Sequence, residues 1–240
     1  MIFGAILAGG TGTRMGKIEK PKQFLLLGNK PIIIHTIEKF YINDIFDEII
    51  VLCPKNWINY TEDLINKYII NQNIFNSSNK IKVVEGGDQR NETIMNAVSY
   101  IDENYELSDD DIIVTHDSVR PFITHRILTE NIKYSGKYGA CDTVIPASDT
   151  IVESNDNKFI KNIPNRKNMY QGQTPQSFKI NKLKTLYNKL SNEEKDMLTD
   201  ACKIFSINNE KVFLVEGEVT NIKITYPYDL KVANSILKGY

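Results

Sequence analysis

The chain opens on an apolar run, Ile2 to Ala8, that passes directly into a loop carrying Gly9, Gly10, Gly12 and Arg14, with Lys22 following in KPKQF. A strand that is apolar throughout is buried on both faces, as in a parallel sheet covered by helices. The glycines remove side chains where backbone N–H groups must approach a ligand. Amides direct hydrogen bonds at an anion, and Arg and Lys add the charge that dipoles alone do not neutralise. This opening therefore predicts an α/β fold with a polyphosphate site at the end of its first strand.

Two familiar glycine loops do not fit. Gly10, Gly12 and Gly16 read G-x-G-x-x-x-G, one residue too long for the dinucleotide fingerprint, and Gly16-Lys17 is followed by Ile18 instead of a magnesium-binding Ser or Thr. An oxidoreductase would also need an acidic residue at the end of a second strand. Glu38 has about the right separation but lies in a helical pattern.

Apolar, β-rich runs recur at 47–53, 82–86, 111–117 and 140–147, with helical periodicity between them. This alternation predicts βαβ units in a single α/β domain over 1–240: a Rossmann-like, mostly parallel, twisted sheet flanked by helices. Pro31 suits a first helical turn, Thr124 precedes a helix ending near Gly139, and Ser191 with Glu194 forms a capping box. From about 150 to 173 the pattern changes to short alternating runs with polar turns, which predicts a protruding β-arm. Such an arm is marginal alone and needs something to pack on. Apolar Ile222 and Ile224 place Lys223 on a strand, pointing away from them.

With 29 Lys plus Arg against 30 Asp plus Glu, the formal net charge is -1, so no global field favours nucleic acid or an anionic membrane. Three cysteines, Cys53, Cys141 and Cys202, without C-x-x-C spacing argue against a disulfide framework or structural zinc. A cytoplasmic location follows as the expectation, with no spanning segment or leader pattern in the sequence. His35, His116 and His125 are scattered and read as packing or capping residues; Trp57 also reads as packing.

LAGGTGTRMG with PKQF resembles the signature loop of the sugar-phosphate cytidylyltransferases. EGGDQRNETI (85–94), THDSVRPF (115–122), YQGQTPQSF (170–178) and NIKITYPYDL (221–230) supply that family's other segments in order. Within the family the resemblance is closest to the ribitol-5-phosphate branch, with the methylerythritol-phosphate branch as near relative. It implies transfer of a cytidylyl group from CTP to D-ribitol 5-phosphate, giving CDP-ribitol and pyrophosphate for wall teichoic acid or capsule synthesis. Methylerythritol phosphate is the alternative acceptor, and a non-catalytic CTP-binding protein the alternative of another class.

The resemblance also implies roles. Arg14 and Lys22 would hold the β- and γ-phosphates, Lys223 the α-phosphate, and Asp117 a Mg²⁺ ion. Ala8, Gly9, Gly10, Gly87, Asp88, Thr93 and Ser118 would select cytosine. Thr150 and Arg166, on the arm, would bind the acceptor phosphate in the neighbouring subunit of a homodimer, and a ribulose-5-phosphate reductase of the alcohol dehydrogenase type is a candidate partner. The ribitol assignment rests on departures from the methylerythritol pattern. Thr220 replaces a common acid before Asn-Ile-Lys, and Ala201 and Cys202 follow Thr199-Asp200 where the relatives show an acid and Ala.

Overall fold

The computed structural model describes residues 1–10, 12–16, 19–71 and 80–239. In chain order its elements are β1 (Ile2–Leu7), a small hairpin of β2 (Leu26–Leu27) and β3 (Lys30–Pro31), α1 (Ile32–Ile42), β4 (Glu48–Cys53) and α2 (Ile58–Ile65). There follow β5 (Ile81–Glu85), α3 (Arg90–Asn104), β6 (Ile112–Asp117), α4 (His125–Tyr138), β7 (Ala140–Pro146) and β8 (Tyr170–Lys179). The chain closes with α5 (Ile180–Asn188), α6 (Asn192–Asp196), α7 (Cys202–Ile207), β9 (Phe213–Glu216) and α8 (Pro227–Lys238).

The main sheet has the order β5-β4-β1-β6-β8-β7-β9. Its pairings are parallel except those of β8, which runs antiparallel to β6 and β7. The α/β sheet expected from the alternating runs is therefore present. β1 pairs with β4 on one side and β6 on the other, so the chain reverses its winding there and opens a crevice beyond the strands' carboxyl ends.

The apolar run of β1 divides between two cores because side chains alternate along a strand. Ile6 joins Ile33, Ile37, Phe40 and Val114 on one face, while Phe3, Ala5 and Leu7 join Ile94, Ile113 and Phe178 on the other. Gly4 is required by close packing, since a Cβ there would come within 2.8 Å of Phe40 Cδ1. Helix ends follow their local signals. Thr124 and Gly139 bracket α4, with Gly139 at φ 89° closing it, and Ser191 and Glu194 form the capping box of α6.

Three expectations need adjustment. Lys223 lies in an extended segment outside any strand, because Ile224 N–H is taken by Val119 O at 3.0 Å instead of by a strand neighbour. Tyr170 to Gln173 belong to the sheet as the start of β8, and the arm beyond it holds a single isolated antiparallel bridge, Glu153 to Asn162. Pro31 sits one residue before α1, at its N-cap.

Candidate active site

A cleft of about 240 Å³ opens beyond the carboxyl ends of β1 and β6. It is lined by Gly9, Gly10, Arg14, Lys22, Gly87, Asp88, Thr93, Asp117, Ser118 and Lys223, which are ten of the thirteen residues expected from the sequence. Gln23, Gln89 and Arg90 also line it.

Asp117 occupies the floor, at the last position of β6. Its carboxylate pairs with Arg90, with Lys223 Nζ at 3.0 Å and with Arg120 Nε at 3.4 Å. Burial alone would push this carboxyl up, but the charges of Arg90, Lys223 and Arg120 hold it well below the usual carboxylate range. Arg120 also donates from Nη1 to Asn221 O at 2.7 Å, and Lys22 donates from Nζ to Ile224 O at 3.0 Å. Together these bonds fasten the 221–226 segment, and so Lys223, against the end of β6.

Lys22 is almost fully buried, and burial with the nearby charges of Lys223 and Arg14 lowers its pKa to about 8. Arg14 stands on a short 3-10 turn, Thr13–Met15, which Gly12 enters at φ 76° and Met15 N–H closes on Gly12 O at 2.9 Å. The guanidinium lies 5.8 Å from the centroid of the Tyr226 ring, within cation–π reach. Five cations thus surround Asp117 and the cleft mouth, an arrangement with net positive charge that suits a polyphosphate.

The opposite wall is a loop made rigid by α3. Gly87 N–H donates to Thr93 Oγ1 at 3.0 Å and Asp88 N–H to Glu92 Oε2 at 2.7 Å. Thr93 therefore shapes this wall, while the amides of Gly87 and Asp88 are already engaged. Ser118 lines the cleft with its own N–H donated to Leu7 O at 3.0 Å.

Ala8, expected in the base pocket, is not among the lining residues. Its N–H donates to Leu52 O at 2.7 Å and its carbonyl accepts from Gln23 Nε2 at 2.6 Å, so both backbone groups serve the fold. Thr150 and Arg166 also lie away from the cleft, exposed on the arm, where Arg166 Nη1 donates to Ser148 O at 3.0 Å. For the expected Mg²⁺ ligand Asp117, both oxygens face cations. Among the described residues, the group of side chains close enough to share a metal is Asp142, Asp200 and Cys202.

Arg90 and Arg120 were not singled out from the sequence. A signal existed for Arg90: a cation at the first position of α3 faces the positive end of the helix dipole, which requires a compensating anion. Asp117 is that anion. His116 is fully buried between Thr174 Oγ1 and Arg120 O, and burial lowers its pKa to about 4, in keeping with a packing role. Trp57 stacks on Phe24 with centroids 4.9 Å apart.

No helix among the described residues is long and apolar enough to cross a membrane. The structure is similar to 4-diphosphocytidyl-2C-methyl-D-erythritol synthase from Anaerococcus prevotii, with 27% identity and a TM-score of 0.77 over 99% of this chain and 96% of that one. It is equally similar to 2-C-methyl-D-erythritol 4-phosphate cytidylyltransferase from Francisella tularensis, at 27% identity, TM-score 0.77 and 98% of each chain. The enzyme of that description from Thermus thermophilus shares the fold at 22% identity, with a TM-score of 0.72 over 99% of this chain and 100% of that one. The family described as IspD, 2-C-methyl-D-erythritol 4-phosphate cytidylyltransferase, matches residues 2–239, and with the cationic cleft in place the chain belongs to that family of nucleotidyltransferases.

Proposed function

We propose that the protein transfers the cytidylyl group of CTP to the phosphate of a short polyol. The observation that carries this reading is the set of cations Arg14, Lys22, Arg90, Arg120 and Lys223 around Asp117, at the carboxyl ends of β1 and β6. An acceptor phosphate oxygen attacks the α-phosphorus, the bond from that phosphorus to the oxygen bridging to the β-phosphate breaks, and pyrophosphate leaves with the electron pair. The acceptor phosphate is ionised, so no general base is required. The difficulty is charge on the phosphoryl oxygens, which preorganised cations relieve.

Lys223 faces the α-phosphate, and Arg14 and Lys22 take the β- and γ-phosphates and the departing pyrophosphate. The triphosphate would draw Lys223 from Asp117, leaving Oδ2 with the long 3.4 Å contact from Arg120 Nε and room for a further partner. A Mg²⁺ ion bound mainly by nucleotide phosphates and water needs one such protein oxygen and would neutralise phosphoryl charge. Gly9, Gly10, the Asp88 side chain and the second lone pair of the Gly87 carbonyl, whose first accepts from Thr93 Oγ1 at 3.2 Å, then remain to read cytosine.

Thr150 and Arg166 are assigned to the acceptor phosphate in a second subunit's cleft. The support is that the arm bearing them exposes Val152, Phe159, Ile160 and Ile163, with Phe159 at 75%. That apolar surface suits a partner copy.

Of the two acceptors, the comparisons favour 2-C-methyl-D-erythritol 4-phosphate, which the similar enzymes carry in their names. D-ribitol 5-phosphate stands as the second reading, favoured by Ala201 and Cys202. Ala201 is fully buried beside Asp200, where the acid of the methylerythritol pattern would have to leave water. Pyrophosphate release from CTP with each acceptor in turn decides between them. Release with neither would end the transferase reading, and a larger kcat/KM for one names the acceptor.

A further inference from the structure

One row of side chains behind Asp117 takes no part in the phosphoryl chemistry. Ile113, Thr115 and Asp117 point to one face of the sheet. Thr115 stands opposite Gln176 of β8, and Gln176 opposite Asp142 of β7, so a polar row continues from the cleft floor across that face. The turn before α7 brings Asp200, and the first residue of α7 brings Cys202, over the row. Carboxylate oxygens of Asp142 and Asp200 and the Cys202 sulfur all lie within 4.8 Å of one another. Each of the three residues is partly exposed.

Gln176 is fully buried and aimed into this cluster, donating from Nε2 to Asp142 Oδ1 at 3.0 Å and to Asp200 Oδ2 at 2.7 Å. Its Oε1 is buried with no hydrogen-bond partner. An orphan acceptor of this kind costs about 1–3 kcal/mol until a donor reaches it. Arg90 joins the two regions, since the charges of Asp117 and Asp200 both act on it.

We propose that Asp142, Gln176 and Asp200, with Cys202 at the edge, form the subsite for the hydroxyl-bearing carbons of an unbranched polyol phosphate. This rests on cytidylyl transfer to a polyol and deepens its second acceptor reading. Hydroxyl groups donate to carboxylate and amide oxygens, and the row offers several of these side by side. Burial and the Asp200 charge raise the Asp142 pKa to about 7, against the Gln176 hydrogen bond that lowers it, so near neutrality Asp142 also offers a proton to a hydroxyl oxygen. A branch methyl directed here would desolvate carboxylates and return no hydrogen bond.

The test is kcat/KM for D-ribitol 5-phosphate and for 2-C-methyl-D-erythritol 4-phosphate in the wild type, Asp142→Leu and Asp142→Asn, each with its KM for CTP and its melting temperature. Asp142→Leu should lose at least about tenfold with ribitol 5-phosphate and less than about threefold with the methylerythritol substrate. KM for CTP should not change. If the leucine variant does not fold, the acceptor ratio of the isosteric Asp142→Asn decides instead: a shift away from ribitol 5-phosphate supports the subsite, and an unchanged ratio overturns it. Equal losses for both acceptors, no loss at all, or a wild type that accepts only the methylerythritol substrate would overturn the subsite while leaving cytidylyl transfer standing. A wild type that releases pyrophosphate with neither would remove the functional reading itself. Titration of the wild type and Cys202→Ser with Zn²⁺ alone provides the remaining control: stoichiometric uptake lost in the variant would make the cluster a metal site and overturn the proposal.

Discussion

The cleft and the arm differ in how many separate parts of the chain hold each in place. At the cleft, Lys223 is fastened by bonds from Lys22, Arg120 and Ile224 to their partners, and Asp117 gathers cations from α3, the loop after β6 and the 221–226 segment. The arm beyond β7 and β8 has one β-bridge, and its hydrogen bonds run mainly among its own residues. Its large apolar side chains face outward. The cations around the reacting phosphates are preorganised within one chain, and charges held ready cost nothing to reorganise during reaction. An apolar arm can remain incomplete in one chain when a partner covers it.

The sharpest test of that contrast removes single charges from the cleft. Lys223→Ala and Lys22→Ala should each lower kcat by about 10²- to 10³-fold, since each removes a fixed charge from the transferring phosphoryl group or its leaving group. Their melting temperatures should stay near the wild type's, because the other attachments of the segment remain. A variant with near-normal pyrophosphate release would take that lysine out of the mechanism.

Asp117→Asn tests whether the floor is held by charge balance. It leaves Arg90, Arg120 and Lys223 without their anion, and unfolding in denaturant should show a loss of about 2–3 kcal/mol, below the value for a fully buried pair because Arg90 and Lys223 keep solvent contact. Added pyrophosphate should return most of the loss by supplying negative charge. A stability equal to the wild type's without any anion would show that the cations do not depend on Asp117.

Arg166→Ala addresses the arm. If its guanidinium serves the partner's cleft, KM for the acceptor should rise about 10- to 100-fold while KM for CTP is unchanged. Mixing it with Lys223→Ala should restore activity through hybrid dimers carrying one intact site. A monomer in light scattering with full activity would end the shared-site reading.

The smallest expected effect concerns Lys22 and pH. With its pKa near 8, the free enzyme loses this cation as pH rises, so kcat/KM for CTP should fall about fivefold from pH 8 to pH 9. The sign follows from the protonated form being the one that binds phosphate, and bound CTP should move the corresponding limb of kcat to higher pH. Lys22→Arg should flatten the alkaline limb, because an arginine keeps its charge. An unchanged limb in that variant would assign the titration to another group.

The residues legible in the sequence share one property. Gly9, Gly10, Arg14, Lys22, Asp117 and Lys223 sit in short segments whose composition states their chemistry, and each reaches the cleft. Ala8 misled because its place in the glycine loop does not reveal that both its backbone groups are taken by Leu52 and Gln23. Arg120 went unnoticed because its partners, Asp117 and Asn221, are divided between the end of β6 and a distant segment.

The sequence by itself determined β1, β4, β5, β6 and β7, the helices between them and the end of the sheet at which a ligand must sit, since hydrophobic periodicity and turn chemistry act over a few residues. Only the tertiary structure decided which charges neutralise one another, that Lys223 stands on an extended loop instead of a strand, and that Asp142, Gln176 and Asp200 meet. Those outcomes depend on strand order and register, which bring together residues far apart in the chain through contacts that no local pattern records.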